Sequence, residues 1–167
     1  MAKSLYIAGI EPGSGKSMVA LGVMELLSRH IHQIGYFRPV IPSKNTADNN
    51  IELIRKRYSL ATGYEEMYAF DREEVRKLVA EESTDKLLKR IVDRYRLLEG
   101  KSRFVLCEGT DFSGIASAFE FEFNADVANH LGASILIVIN GRNKPNEETI
   151  DVVRAAREAF EGQGCTI

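Results

Sequence analysis

The chain has 167 residues, and its 22 lysines and arginines nearly balance 24 aspartates and glutamates, which leaves a formal charge of −2. This length suits one domain with its own hydrophobic core. The balanced charge is untypical of proteins that bind nucleic acid through a basic face, so we expect no nucleic-acid partner. No apolar run approaches the roughly 18 residues of a membrane-spanning helix. The absence of a signal peptide and the presence of only two cysteines predict a cytoplasmic protein without disulfides.

Strand-like and helix-like segments alternate along the chain. Four apolar runs are typical of buried strands, namely residues 5–8, 35–40, 104–107 and 134–139. Because proline rarely lies inside a central strand, we expect Pro39 to end the second run near Phe37 or Arg38. Residues 41–100 are the least strand-like part of the chain. Strands separated by helices imply parallel pairing, so the predicted fold class is α/β, a mostly parallel sheet with helices on both faces.

Helices are predicted from apolar positions at helical spacing. The first runs to about Arg29, a short one lies near 51–54, another is capped by Asp71 with Glu74 three residues later, a fourth ends at Gly100, and a fifth covers 126–131. The last begins at Pro145. The expected buried faces are Val19, Val23, Leu26 and Leu27 in the first helix, Leu87, Leu88, Ile91, Val92, Tyr95 and Leu98 in the fourth, and Ile150, Val153, Ala156 and Phe160 in the last.

Residues 9–17, with the sequence GIEPGSGKS, separate the first strand from the first helix, as the phosphate-binding P-loop motif requires. Gly13 and Gly15 allow the backbone to turn its N–H groups towards phosphate oxygens, and the N-terminus of the helix adds a positive potential. Lys16 can reach the terminal phosphates, and Ser17 can place its hydroxyl on Mg²⁺. The motif is not strict, because Ile10 stands where a glycine is expected and the glycine lies one position earlier. A turn that only joins strand to helix is the alternative.

Two carboxylates are candidate metal ligands. Glu108 ends a strand, at the edge where parallel sheets place their ligands, and can hold Mg²⁺ directly or through water. Asp48 lies in the polar loop before the short helix, and by spacing alone an N-cap is the favoured role for it. A solvated or capping role is the alternative for Glu108. The three histidines have no partners at metal-ligand spacing, and Cys107 is more typical of a buried thiol than of a nucleophile.

These motifs resemble those of dethiobiotin synthetase, whose phosphate loop also has its first glycine one position early. Residues 36–40 (YFRPV) resemble the second-strand motif of that family, and residues 105–109 (VLCEG) resemble its Val-Glu-Gly motif. A closer resemblance, over residues 3–167, is to the N-terminal domain of multidomain phosphate acetyltransferases, especially through 124–133 (NADVANHLGA) and the helix at 147–160. The domain also resembles cobyrinic-acid diamide synthases.

The resemblance implies a P-loop NTPase fold, with ATP or another nucleotide and Mg²⁺ as cofactors. It matches Ser17, Asp48 and Glu108 to the metal ligands. The predicted cofactor-binding residues are Glu11, Gly13, Ser14, Gly15, Lys16, Ser17 and Arg38. Dethiobiotin synthetases have lysine where Arg38 stands, and residues 108–111 (EGTD) lack the small Ala-Gly-Gly run of that family. Both differences weigh against dethiobiotin chemistry.

Residues 164–167 look like the opening of a further strand, so we expect residues 1–167 to be one P-loop domain from the N-terminus of a longer protein, with its last strand or strands truncated. Its expected partners are a nucleotide, the other domains of the parent chain and further copies of itself. The first hypothesis is the nucleotide-binding, regulatory or assembly domain of a phosphate acetyltransferase, with no catalytic residue in this chain. The alternatives are an ATP-dependent synthase that activates a carboxylate, and a degenerate P-loop scaffold that binds no nucleotide.

Overall fold

The computed structural model describes residues 2–11, 13–111 and 117–167. Within these residues five strands form one parallel sheet in the order β3-β2-β4-β1-β5. The strands are β1 Lys3–Gly9, β2 Ile34–Ile41, β3 Tyr68–Asp71, β4 Phe104–Glu108 and β5 Ser134–Val138. The helices are α1 Lys16–Ser28, α2 Asn49–Arg57, α3 Arg72–Ala80, α4 Thr84–Glu99, α5 Ser117–Leu131 and α6 Asn146–Gly162, with a 3-10 turn at Tyr64–Glu66. The predicted α/β class is therefore confirmed.

The sheet separates two hydrophobic cores because successive side chains of a strand point to opposite faces. Along β1, Tyr6 and Ala8 enter one core, whereas Ile7 enters the other. The first core also receives apolar side chains of α3, α4, α5 and α6, and the second receives those of α1 and α2. Helices thus cover both faces, and the loops that follow β1, β2 and β4 meet at the carboxyl end of the sheet.

The strand β2 passes through Pro39, contrary to the expectation that it would end near Phe37 or Arg38. Its pairing with β4 finishes at Phe37, whereas its pairing with β3 begins at Arg38, whose N–H donates to the carbonyl of Met67 at 2.8 Å. Since backbone N–H groups alternate between the two sides of a strand, the nitrogen of Pro39 faces the side where pairing has already ended. The proline therefore costs the sheet no hydrogen bond.

The strand β3 was missed by sequence reasoning, which treated residues 41–100 as the least strand-like region. Only four residues long, β3 lies at the edge of the sheet and pairs with β2 from Arg38 to Ile41. It leads directly into α3 at the predicted cap. The Asp71 side chain accepts the N–H of Glu74, and the Glu74 side chain accepts that of Asp71, which completes a capping box.

Some predicted buried faces were wrong. Leu26 of α1 is 63% exposed, whereas the expected Val19, Val23 and Leu27 are half-buried against the second core, beside the fully buried Ala20 and Met24. In α6 the expected residues Ala156 and Phe160 are buried, but Ile150 and Val153 lie on the exposed side. Helix α4 buries Leu87, Ile91, Tyr95 and Leu98 as expected, while Leu88 and Val92 are half-buried.

Helix α5 begins at Ser117, nine residues before the predicted start at 126. Phenylalanine and glutamate alternate strictly over residues 119–123, a spacing more typical of a strand, so helical periodicity gave no signal there. Residues 165–167 do not form a strand, yet the N–H of Ile135 in β5 donates to the carbonyl of Thr166 at 2.7 Å. The end of the described chain therefore lies against the outer edge of β5. None of the helices in the described part of the chain combines the length and apolar character needed to cross a membrane.

Candidate phosphate-binding site

The loop between β1 and α1 has the backbone of a phosphate cradle. Gly13 has φ 72° and Gly15 has φ 96°, both in the left-handed region that side chains disfavour, and Gly15 caps α1. A Cβ at Gly9 would lie 2.3 Å from the Ser14 hydroxyl oxygen, because the loop folds Ser14 back over the end of β1. The close approach therefore needs glycine at position 9, whereas Ile10 packs against the core. Pro12, in the same motif, lies outside the described residues.

Lys16 lies at the N-terminus of α1 and is almost completely buried, with 4% of its side chain exposed. Its ammonium group forms an ion pair with the carboxylate of Asp111, in the loop after β4. The backbone carbonyl of Asp111 in turn accepts a hydrogen bond from Arg72 of α3 at 2.6 Å. The cation of the cradle is therefore already neutralised by a carboxylate from the neighbouring loop.

The carboxylate of Glu108 lies at the centre of a hydrogen-bond network, with only 2% of its side chain exposed. Its Oε1 accepts the Ser17 hydroxyl at 2.9 Å and the Asn50 amide at 3.0 Å, and its Oε2 accepts the Tyr36 hydroxyl. Burial, together with the negative charge of Glu108, raises the pKa of Tyr36 well above its usual value. Tyr36 therefore stays protonated and remains a hydrogen-bond donor to Glu108.

Arg38 spans the two candidate metal-binding carboxylates. One terminal nitrogen, Nη1, contacts Oδ2 of Asp48, and the other, Nη2, lies 3.6 Å from Oε1 of Glu108. The remaining oxygen of Asp48, Oδ1, accepts the N–H groups of Asn50 and Ile51, each at 3.0 Å. Asp48 is thus the N-cap of α2, the role that its spacing favours.

The three predicted magnesium ligands do not fit a metal ion in this arrangement. Ser17 and Glu108 touch, whereas Asp48 is linked to them through the guanidinium of Arg38 and through Asn50. The Ser17 oxygen, which would coordinate the ion, already accepts the Asn50 amide at 2.6 Å. Among the described residues no group of three or more histidine, cysteine, aspartate or glutamate side chains could hold a metal.

The remaining predicted residues lie at the rim of the cradle. Glu11 is half-buried and forms an ion pair with Lys144, in the loop before α6, at 3.3 Å. Ser14 is buried, and its hydroxyl has no hydrogen-bond partner among the described residues. An open cavity of about 370 Å³ adjoins the site, between the carboxyl end of β2 and the start of α2. Its lining includes Arg38, Ser43, Thr46, Asp48 and Asn50. A polar molecule placed there would lie next to Arg38.

Sequence reasoning missed Tyr36, Asn50, Asp111 and Asn124. Tyr36 and Asn50 each lie two residues from a predicted site residue, and Asp111 lies three after Glu108, so proximity to the motifs was the available signal. Asn124 gave no such signal. Its amide binds the Tyr6 hydroxyl at 2.8 Å and the backbone N–H and C=O of Thr110 at 3.0 and 3.1 Å, which fixes the loop that presents Asp111.

Both cysteines are free and buried. Burial raises the pKa of the Cys107 thiol well above its usual value. Cys107 therefore remains a neutral core side chain, in agreement with the expectation that it is not a nucleophile.

Comparison with known proteins places this cradle in a family. Residues 3–167 match the family described as AAA domain. The whole chain is 39% identical to a phosphate acetyltransferase of Nitratidesulfovibrio vulgaris and 33% identical to one of Synechocystis, and covers 24% of each. A phosphate acetyltransferase of Haemophilus influenzae is 25% identical over 98% of the chain, which covers 23% of that protein. The chain thus spans about a quarter of the length of the curated relatives it matches. It belongs to the AAA domain family, and is homologous to the N-terminal region of phosphate acetyltransferases.

Proposed function

We propose that this chain is the nucleotide-binding, regulatory or assembly domain of a phosphate acetyltransferase. The parent protein would interconvert acetyl-CoA plus phosphate and acetyl phosphate plus CoA, with the transfer residues outside this chain. The observation that carries the nucleotide role is the loop before α1, where two left-handed glycines precede a buried lysine at a helix N-terminus. The similarity of the whole chain to phosphate acetyltransferases supports the parent activity.

ATP is the first nucleotide to test. The N–H groups around Gly13, Ser14 and Gly15 would bind its phosphate oxygens, and the unpartnered hydroxyl of Ser14 would be a further donor. Lys16 would neutralise the terminal phosphates after releasing Asp111. Magnesium would then accompany the phosphates of the nucleotide, since the three predicted protein ligands do not fit the ion. Glu11 lies at the rim, where it and Lys144 would face the outer part of a bound nucleotide.

Isothermal titration of the chain with magnesium-ATP tests the nucleotide role. We expect saturable heat from the natural sequence, and its loss in Lys16→Ala with the circular dichroism spectrum unchanged. Lys89→Ala is the matched control, because Lys89 forms only an exposed i, i+4 pair with Asp93. Equal heat from the Lys16 and Lys89 variants would contradict binding at this loop.

The acetyltransferase role of the parent is tested separately, on the full-length protein, by following acetyl phosphate formation from acetyl-CoA and phosphate. We expect Lys16→Ala in the full-length protein to change the response of that activity to ATP while preserving the basal rate. A full-length protein that forms no acetyl phosphate would contradict the parent assignment, whatever the titration of the domain shows.

The ion pair of Lys16 with Asp111 favours one rival, a scaffold in which the P-loop contacts only the protein itself. That rival predicts no heat with ATP and an unchanged oligomer in Lys16→Ala. Assembly into a homo-oligomer stays a prediction under either hypothesis, and sedimentation of the natural sequence and the variant measures it. The synthase alternative gains no support, because Arg38 faces two carboxylates of its own chain.

A further inference from the structure

We propose that the guanidinium of Arg38 takes the place of a divalent cation between Asp48 and Glu108, so that the protein itself holds no magnesium on Ser17, Asp48 and Glu108. This inference concerns the charge inside the site and does not depend on whether a nucleotide binds there. It goes beyond the proposed function because it identifies a permanent cation in the protein as the partner of both carboxylates.

The first line of support is that each carboxylate oxygen already has a donor. In Asp48, Oδ1 accepts two backbone N–H groups of α2 and Oδ2 accepts Arg38. In Glu108, Oε2 accepts Tyr36 and Oε1 accepts Ser17 and Asn50, with Arg38 at 3.6 Å. Oδ1 of Asp48 and Oε1 of Glu108 thus have both lone pairs occupied, and at the two other oxygens a metal ion would have to bind beside Arg38 or Tyr36.

The second line is burial. The side chains of Asp48 and Glu108 are 3% and 2% exposed, and that of Arg38 is 12% exposed. Two carboxylates removed from water need a positive partner, since an unpaired buried charge is strongly destabilising. Arginine is permanently protonated, so Arg38 supplies this partner at every physiological pH.

The third line is the shape of the side chain. A guanidinium is flat and carries donors on separate nitrogens, so that Arg38 reaches Asp48 with Nη1 and points Nη2 towards Glu108. A lysine at this position would bring a single ammonium group, which acts as a point charge. The forked group can therefore join two carboxylates from different elements, one at the end of β4 and one at the N-cap of α2.

The fourth line is the hydroxyl of Ser17. It donates to Glu108, and its oxygen accepts the amide of Asn50 at 2.6 Å. Because the acceptor of the Asn50 amide at 3.0 Å is a carboxylate, the group that faces both Ser17 and Glu108 has to be the NH₂ of the amide. The Ser17 lone pair that would coordinate a metal is thus directed at a donor of the protein.

Thermal unfolding with and without magnesium, in the absence of nucleotide, tests the proposal. In Arg38→Met two buried carboxylates lose their cation, so we expect a lower melting temperature in chelator and a rise of about 5 °C or more in excess magnesium chloride. The natural sequence should shift by less than about 1 °C under the same conditions. Arg38→Lys is the matched control, since it keeps a positive charge between the carboxylates and should gain no magnesium response.

The double variant Arg38→Met with Glu108→Gln locates the effect, because it should lose the magnesium response that Arg38→Met gains. If Arg38→Met does not fold in chelator, Arg38→Gln is measured in its place, and recovery of the folded state with magnesium supports the proposal. A natural sequence that magnesium stabilises by several degrees, with the effect lost in Glu108→Gln, would overturn it. So would Arg38→Met and Arg38→Gln variants that respond to magnesium no more than the natural sequence does.

Discussion

Lys16 is held by a carboxylate that any bound phosphate has to displace. Its partner Asp111 lies in the loop after β4, which Asn124 fixes from the other side. The ion pair neutralises the lysine before a ligand arrives, so it competes with phosphate for the same ammonium group. Under the proposed function, Asp111 therefore lowers the affinity of the loop for phosphate.

We expect Asp111→Asn to bind ATP about fivefold more tightly than the natural sequence, which corresponds to a competing pair worth about 1 kcal/mol. The amide keeps the size of the side chain but removes its charge. Isothermal titration measures the change, and Asp93→Asn is the control, because Asp93 belongs to an exposed pair far along α4. Weaker binding by Asp111→Asn would mean that Asp111 assists the phosphate instead of competing with it.

The hydroxyl of Tyr36 contributes to stability through its hydrogen bond to the buried Glu108. In Tyr36→Phe, Oε2 of the buried Glu108 loses its donor, and we expect the free energy of unfolding to fall by about 1–3 kcal/mol. Urea unfolding measures this. Tyr68→Phe serves as the comparison and should cost less, because the acceptor of Tyr68 is the exposed Glu65, which can return to water. Equal costs would contradict the dependence on burial.

At the residue scale, local motifs predicted which side chains would gather but not how they would pair. The P-loop motif identified Lys16 and Ser17, and the position at the end of a strand identified Glu108 as candidate site residues. Spacing favoured the N-cap role of Asp48, which the structure shows. The partners of Arg38 could not be read from the sequence, because its contacts with Asp48 and Glu108 depend on how β2, β4 and the start of α2 come together at the carboxyl end of the sheet. Long-range pairing of this kind leaves no periodic signal.

Helix α6 carries apolar residues on both its buried side and its exposed side. Phe160 is completely buried, whereas Ile150 is 56% exposed on the same helix. We expect Phe160→Ala to lower the free energy of unfolding by about 3–5 kcal/mol. Ile150→Lys should change it by no more than about 0.5 kcal/mol. Urea unfolding of both variants makes the comparison, and a large loss from Ile150→Lys would show that this face is covered in the isolated chain.

The start of α3 depends on its capping box. Asp71→Ala removes the acceptor of the Glu74 N–H, and we expect a loss of about 1 kcal/mol. Asp71→Ser, which keeps an acceptor at the N-cap, should recover most of it. The midpoints of urea unfolding measure both. If serine and alanine were equally destabilising, the cap itself would not be the cause.

Helices and strands were predicted correctly where a short sequence pattern determines them. The predictions failed where pairing with a neighbouring strand of the sheet determines the structure. The capping box of α3 and the glycine turn before α1 were predictable from short patterns. The strand β3 was not, because its four residues become a strand only by pairing with β2. The prediction that β2 ends before Pro39 was wrong for a similar reason. The strand can include this proline because its pairing with β4 already ends at Phe37, two residues earlier.

In the molecule as a whole, the two cores on either side of the sheet make stability sensitive to alkali. Burial raises the pKa of Tyr6 and Tyr36 well above 10.0 and that of Cys107 above 9.0, and it raises the pKa of Tyr95 to about 12. The unfolded chain releases these protons at lower pH than the folded chain does. Their contribution to stability is therefore complete below about pH 9 and is lost as the pH rises.

We expect ionisation of the buried tyrosines, followed by absorbance at alkaline pH, to coincide with the loss of the far-ultraviolet circular dichroism signal. The physical reason is that the buried phenols can ionise only when the chain unfolds. A titration in which all tyrosines ionise near their ordinary pKa while the secondary structure persists would contradict the buried positions of Tyr6 and Tyr36.

The contact between Thr166 and β5 has a consequence for how the molecules behave in concentrated solution. An outer strand with free N–H and C=O groups is a template on which another chain can add a strand and start an aggregate. At Ile135 the outward N–H is already taken by the carbonyl of Thr166, and the opposite edge, β3, is only four residues long. Strand addition by another molecule is therefore less favourable at Ile135 and along the short β3 than on a long edge strand whose N–H groups are all free.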